Sequence, residues 1–194
     1  MKALEEKIVR EGKVYPGGIL NIGSFLNQRI DVPFMMEMGR EIARLYEGQG
    51  VNKVLTVEAS GIALAMAAAL PLGASLVFAK KSQSANMNPN VYSAQVYSYT
   101  HKRENRIVVS RDFLVSGDRV LLVDDFLANG EALRGLAALC QLAGAEVIGC
   151  AVAVEKGFQH GGDALRRQGI RVESLAIIDE MQDDGVTFRA PSAV

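Results

Sequence analysis

Val120-Leu121-Leu122-Val123 puts four apolar side chains in consecutive positions, and two carboxylates, Asp124 and Asp125, follow at once. Successive strand residues point to opposite faces, so a run apolar at every position reads as a strand covered on both sides, the pattern of a parallel sheet. Three further stretches have the same character: 51–57, β-branched and mostly apolar; 74–79; and the near-continuous apolar run 147–154. Helical stretches separate them. One, after Gly61, is built of small apolar residues; another, 130–142, is rich in Ala and Leu and capped by Gly144. Alternating β and α with buried strands predicts an α/β fold with a doubly wound, mostly parallel sheet.

The remaining elements are weaker. Residues 2–11 predict a short helix ended by Gly12, and Pro16-Gly17-Gly18 a turn before a short strand at 19–22. Asp31-Val32-Pro33 opens a helix to about residue 47, with Phe34, Met38, Ile42 and Leu45 on one face. Residues 80–90 are polar and carry no hydrophobic stripe, which predicts a long mobile loop. Strands are expected at 91–100, 106–110 and 172–178, a short helix at 163–168, and a polar tail from Met181. One domain over 1–194 results, with a small appended hood formed by about 14–30 and segments after 155.

Composition narrows the function. The 194 residues are 49% hydrophobic and 22% charged, as in an ordinary globular protein with a real core. A net charge of −1 gives no bulk attraction for nucleic acid or an anionic membrane, so neither is an expected partner. The longest apolar stretch, 62–72, is too short to span a bilayer, and the N-terminus lacks the apolar run of a signal peptide. Cys140 and Cys150 have no metal-ligand spacing and read as small buried hydrophobes in a reducing, cytoplasmic setting. His101 and His160 have no partner spacing for a metal or a triad and are expected at the surface.

The acids carry the chemistry. Open α/β sheets place ligands at the C-terminal ends of their strands, where Asp124 and Asp125 are expected. Carboxylates accept strong hydrogen bonds from vicinal hydroxyls. Beyond them, the turn Ala128-Asn129-Gly130 leads into the helix that contains Glu131 and Ala132. First-turn N–H groups without partners, at the positive end of the helix dipole, suit a phosphate. Paired acids before a helix are more often only a cap. Here the acids, the small-residue turn and the helix together outline a sugar-phosphate site.

The run from Val120 to Ala132 resembles the 5-phosphoribosyl 1-pyrophosphate (PRPP) motif of type I phosphoribosyltransferases, with Asn129 where many members have Thr. Asn keeps a short polar side chain and tolerates unusual backbone angles. The resemblance implies that Asp124 and Asp125 bind the ribose and that residues 128–132 wrap the 5-phosphate. It further implies that Glu58-Ala59-Ser60-Gly61, where Ser60 alone would read as a helix cap, is the pyrophosphate loop. The 80–90 loop would close over the site, with Lys81 contacting pyrophosphate, in a dimer even at the partner's site. Mg²⁺ would arrive on PRPP itself, with no dedicated protein site.

The acceptor follows from the flanks. Lys156 and Phe158 stand where purine members of the family place a lysine on a 6-oxo group and an aromatic ring on the base. An ammonium has donors only and prefers an oxo to an amino substituent. Residues 19–31, with Ser24-Phe25-Leu26-Asn27, resemble the base-binding hood of bacterial xanthine phosphoribosyltransferases, implying base contacts at Leu20 and Asn27. That resemblance extends almost end to end and implies a homodimeric enzyme that joins xanthine to PRPP. A guanine or hypoxanthine enzyme is the nearest alternative, because Lys156 reads only a shared group. A PRPP-sensing regulator of the same fold is the other. Its DNA-binding form needs an N-terminal domain, for which the first core strand near Val51 leaves no room, and its RNA-binding form needs a basic face.

Overall fold

The computed structural model describes residues 1–82, 90–98, 103–182 and 185–190. The chain opens with helix α1 (Lys2–Glu11) and a hairpin of β1 (Lys13–Tyr15) and β2 (Ile19–Asn21), then helix α2 (Val32–Leu45). Next come β3 (Lys53–Val57), α3 (Gly61–Leu72), β4 (Ser75–Ala79), and the pair β5 (Val91–Ser98) and β6 (Arg103–Ser110). The second half is β7 (Arg119–Leu127), α4 (Glu131–Ala143), β8 (Glu146–Lys156), a 3₁₀ turn (Gly157–Gln159), α5 (Gly161–Arg167), β9 (Val172–Gln182) and β10 (Gly185–Phe188).

Six strands form one sheet in the order β10-β9-β8-β7-β3-β4, every neighbour parallel except the antiparallel edge strand β10. From the central pair β3 and β7 the chain winds outward in opposite directions. The crevice beyond the C-terminal ends of those two strands is therefore the topological switch point, where doubly wound sheets bind ligands. The apolar run on β7 divides by alternation: Leu121 and Val123 join the core under α2 and α3, while Val120 and Leu122 join the core under α4. All four are fully buried.

Local chemistry sets the helix ends. Asp31 caps α2 by accepting from the Phe34 N–H at 3.3 Å, and Pro33 occupies the first turn, where its missing N–H costs nothing. Burial of Met35, Met38 and Ile42 then seats the helix. The hood is a compact turn region over Phe25 and Leu26, both 1% exposed. Lys7 of α1 fastens it, pairing with Asp31 at 2.8 Å and with Glu11 at 3.2 Å, and lying 5.3 Å from the Phe25 ring centre.

Several boundaries differ from expectation. β7 continues to Leu127 instead of ending at Val123, so both acids lie inside the strand; Asp124 is paired in register with Val152. β8 likewise runs through Glu155 to Lys156. The polar stretch from Met181 contains the end of β9 and all of β10. Arg189, just past β10, donates to Asp179 at 2.7 Å and through its backbone to Ile177, tying that edge down despite its polarity. The β1 partner of the predicted short strand was not anticipated, and the helix near 163 starts at Gly161. Within the predicted 80–90 loop, Lys80 makes a β-bridge to Val108. Residues 83–89, the end of the predicted 91–100 strand and His101 lie outside the described residues.

Because Leu121 is fully buried at the centre of the sheet, Leu121→Ala is expected to cost about 2–5 kcal/mol. Urea unfolding measures it as a lower midpoint with an unchanged slope.

Candidate functional site

Asp124 and Asp125 are 7% and 6% exposed, on neighbouring positions of β7 at the switch point. Asp125 has a partner on each oxygen: Asn27 Nδ2 donates to Oδ2 at 3.0 Å and Ser60 Oγ donates to Oδ1 at 2.9 Å. Three distant stretches (hood, 58–61 turn and central strand) therefore converge on one carboxylate. Asp124 Oδ1 accepts from the Asp125 backbone N–H at 3.0 Å. The carboxyl of Asp124 titrates well above the usual range. Burial is the main cause, the neighbouring Asp125 charge adds to it, and Lys81 opposes it weakly.

The turn after β3 crosses directly over Asp124. A Cβ on Gly61 would lie 2.2 Å from Thr56 Oγ1 and 2.9 Å from Asp124 Oδ1, so only glycine starts α3 there. Ser60 stands in the cap position but makes no cap bond; its hydroxyl serves Asp125 instead, which corrects the capping role read from sequence. The Lys81 N–H donates to Glu58 Oε1 at 2.7 Å, so the segment after β4 is tied to the turn after β3. The Lys81 charge is felt at Asp124, where it slightly lowers the raised carboxyl.

The turn Ala128-Asn129-Gly130 leaves β7 and enters α4 through Gly130 at φ 83, a left-handed conformation that favours glycine. No side chain caps α4. The first-turn N–H groups, including those of Glu131 and Ala132, have no intrahelical carbonyl and are suited to an anion. Arg134 braces the turn by donating to the Asn129 carbonyl and to the Glu131 carboxylate. Arg134 was missed in the sequence, where the only clue was its i,i+3 spacing from Glu131.

On the next strand, Lys156 Nζ donates to the Gly18 carbonyl at 3.1 Å, so the hood turn reaches the end of β8. Burial holds its ammonium below the ordinary lysine value. Lys156 lies 5.8 Å from the centre of the Phe126 ring, an aromatic neighbour that sequence reasoning passed over. Phe158, in the 3₁₀ turn, is half-buried and packs against the hood-side core. Leu20 is buried in the hood and lines a cavity of about 330 Å³ with Ile8, Val14 and Val186. Among the described residues no cluster of three or more His, Cys, Asp or Glu side chains is arranged to hold a metal. No helix among them is long and apolar enough to cross a membrane.

A parallel sheet with paired acids at its switch point, a phosphate-competent helix start on the same strand and a covering hood defines a nucleotide-handling α/β protein. The chain belongs to the phosphoribosyl transferase domain family, which it matches over residues 33–175. It is 48% identical over 188 residues to the xanthine phosphoribosyltransferases of Bacillus cereus (strain AH187) and Bacillus anthracis, covering 97% of this chain and 95% of each relative. Among solved structures it is similar to the Giardia lamblia adenine phosphoribosyltransferase complexed with 9-deazaadenine, with a TM-score of 0.77 and 22% identity over 92% of this chain and 98% of that one. The adenine phosphoribosyltransferase of Thermoanaerobacter pseudethanolicus gives 0.72 and 24% over 90% and 98%. At those identities the likeness establishes the type I fold.

The raised Asp124 carboxyl predicts a pH-dependent stability effect. The folded state binds this proton more tightly than the unfolded chain, whose value is near 3.9. The group therefore costs nothing below that value and destabilises as pH rises through the folded value. Asp124→Asn, always neutral, is expected to melt at a higher temperature than the parent at pH 8 and at the same temperature near pH 3. Melting by circular dichroism at both pH values tests this, and an unchanged or lower Tm at pH 8 refutes it.

Proposed function

We propose that this protein transfers the 5-phosphoribosyl group of PRPP to N9 of xanthine, yielding xanthosine 5′-monophosphate (XMP) and pyrophosphate. The contact that carries this reading is Asn27 Nδ2 on Asp125 Oδ2 at 3.0 Å, because it joins the hood that faces the base to the acid that faces the ribose. The 48% identity to curated xanthine phosphoribosyltransferases supports the same base.

Each part of the crevice has a task. Residues 128–132 hold the 5-phosphate by backbone N–H groups and the α4 dipole. Asp124 and Asp125 accept hydrogen bonds from the ribose hydroxyls. Those hydroxyls replace Asn27 and Ser60 as donors to Asp125, which frees the Asn27 amide for the purine and the Ser60 hydroxyl for pyrophosphate. Lys156 donates to the 6-oxo group, Asn27 offers both a donor and an acceptor to the remaining polar edge, and Leu20 and Phe158 supply apolar surface around the ring. Lys81 balances charge on the departing pyrophosphate.

As the C1–oxygen bond breaks, its electron pair leaves with pyrophosphate and positive charge develops at C1; the C1–N9 bond forms while the N9 proton passes to solvent. The enzyme's contribution is orientation of the purine and stabilisation of the leaving group. Mg²⁺ carried in on PRPP would find hard oxygen ligands in the Asp124 and Asp125 carboxylates, which are the chemistry that this ion prefers. When bound it neutralises phosphate charge. The working assembly is a homodimer, for which the exposed Met66 and Leu70 on the outer face of α3 offer apolar contact area.

Mixing xanthine and PRPP with the protein is expected to release pyrophosphate, and neither substrate alone should do so; no release from the mixture overturns the reading. Replacing both acids by Asn should raise KM for PRPP by roughly 10–100-fold or more, since hydrogen bonds to charged groups are worth about 1.5–3 kcal/mol. The circular dichroism spectrum should not change. Normal PRPP kinetics in that variant contradict the assignment of Asp124 and Asp125.

A further inference from the structure

Leu127 and Glu155 are register partners on β7 and β8. One residue beyond each stand Ala128, the first residue of the phosphate turn after β7, and Lys156, the base-side lysine and last residue of β8. These two functional groups therefore leave adjacent strands at the same level, and their spacing depends on what lies between the strand exits. The segment that fills this place is the start of α5.

Its first two residues are glycines in unusually close contact. A Cβ on Gly161 would lie 2.1 Å from the Ala128 carbonyl oxygen, 2.6 Å from the Asn129 carbonyl carbon and 2.7 Å from the Gly130 nitrogen. All three are backbone atoms of the phosphate turn, which cannot rotate aside as a side chain can. A Cβ on Gly162 would lie 2.0 Å from Glu155 Oε1. The approach is thus made by bare backbone on both sides, against the phosphate turn and against the residue that precedes Lys156. His160 launches the pair from a left-handed conformation, φ 59, that side chains other than Asn, Asp and His seldom adopt.

Glu155 is 1% exposed and is held in place from below. Arg166 of α5 donates to Oε1 at 2.9 Å and to Oε2 at 2.7 Å, and the Ser174 hydroxyl on β9 donates to Oε2. Arg166 Nη2 also reaches the Val172 carbonyl at 3.3 Å. A bidentate pair of this kind fixes orientation as well as distance. Breaking it would leave a buried charge without its partner, so the arrangement has one favourable geometry. α5 is thereby locked to β8 and β9 through its last turn while its first turn bears on the phosphate turn.

We propose that Gly161, Gly162 and the buried Glu155–Arg166 pair are positioning residues that set the 5-phosphate turn at a fixed distance from Lys156. The proposal rests on the reading of residues 128–132 as the phosphate site and of Lys156 as a base contact. None of the four positioning residues touches a substrate. They act by holding two strand exits in register, so that a nucleotide with its phosphate seated presents its purine to Lys156.

The test compares two ligands that differ only in the 5′-phosphate, XMP and xanthosine, binding to the full-length protein by calorimetry. The ratio of the xanthosine Kd to the XMP Kd isolates what the phosphate turn contributes. Gly161→Ala is expected to lower that ratio by roughly tenfold or more, because displacements near 1 Å at such a site cost about two orders of magnitude. The matching control is Gly185→Ala, where an added Cβ meets nothing and the ratio should not change. If Gly161→Ala does not fold, Glu155→Gln keeps the shape but loosens Arg166, and should lower the same ratio at least threefold.

A merely structural role would lower Tm and leave the ratio intact. An unchanged ratio in a folded Gly161→Ala, or in Glu155→Gln, overturns the proposal. If the unmodified protein itself binds XMP no more tightly than xanthosine, the phosphate-site reading fails, independently of the glycines.

Discussion

Two adjacent carboxylates have to stay nearly dry at the end of a central strand, and the surrounding structure is shaped by that requirement. A buried carboxylate without partners is costly, and two side by side are costlier. Asp125 is satisfied by one donor from the hood and one from the turn after β3. Asp124 is instead held well above the usual carboxylate range, by burial first and by the neighbouring Asp125 charge second. The switch point between β3 and β7 is where such a pair can be reached from both directions of winding. In the proposed mechanism ribose hydroxyls replace the two side-chain donors to Asp125, so the resting network there is also the binding network.

The remaining elements hold those donors at the right distance. The hood is pinned by Lys7 through Asp31 and Glu11, and α2 is tied to the sheet by the Tyr46 hydroxyl, which donates to the Cys150 carbonyl at 2.7 Å. On the other side of the crevice, the phosphate turn and Lys156 leave adjacent strands and are braced by α5. Base, ribose and phosphate contacts therefore rest on regular elements or on turns one residue beyond them. Such placement favours preorganisation.

What could be read from the sequence follows from which patterns are periodic. The four central strands were legible because runs such as 147–154 are apolar on both faces, and the α/β alternation followed. Their C-terminal ends were not. Asp124, Asp125, Glu155 and Lys156 are polar, so they appear to lie past the strands, yet they continue the backbone ladder with their side chains in the crevice. The functional residues themselves obscured the boundaries. β10 was hidden because it is a four-residue edge strand with only Val186 and Phe188 packed on the core, and the Asp179–Arg189 pair beyond it completes its hold. Ser60 and Phe126 owe their positions to long-range contacts that local spacing does not announce, whereas Arg134 braces its own turn through neighbours at i−3 and i−5. The hood had no clear period of its own, and its placement of Asn27 came only through resemblance to a family.

In the proposed reaction the acids determine which group is transferred, while the flanks determine which base receives it. Lys156 can read only a 6-oxo group common to xanthine, guanine and hypoxanthine, so discrimination among them falls to the hood amide of Asn27. Relative kcat/KM for the three bases, measured for the parent protein and for Asn27→Ala, tests that division directly. The account predicts xanthine as the best substrate and a loss of roughly tenfold or more in its advantage over hypoxanthine when Asn27 is truncated, because a site built to hydrogen-bond a polar edge penalises its absence. A parent enzyme that prefers hypoxanthine, or an Asn27→Ala variant that keeps the full xanthine preference, would contradict it.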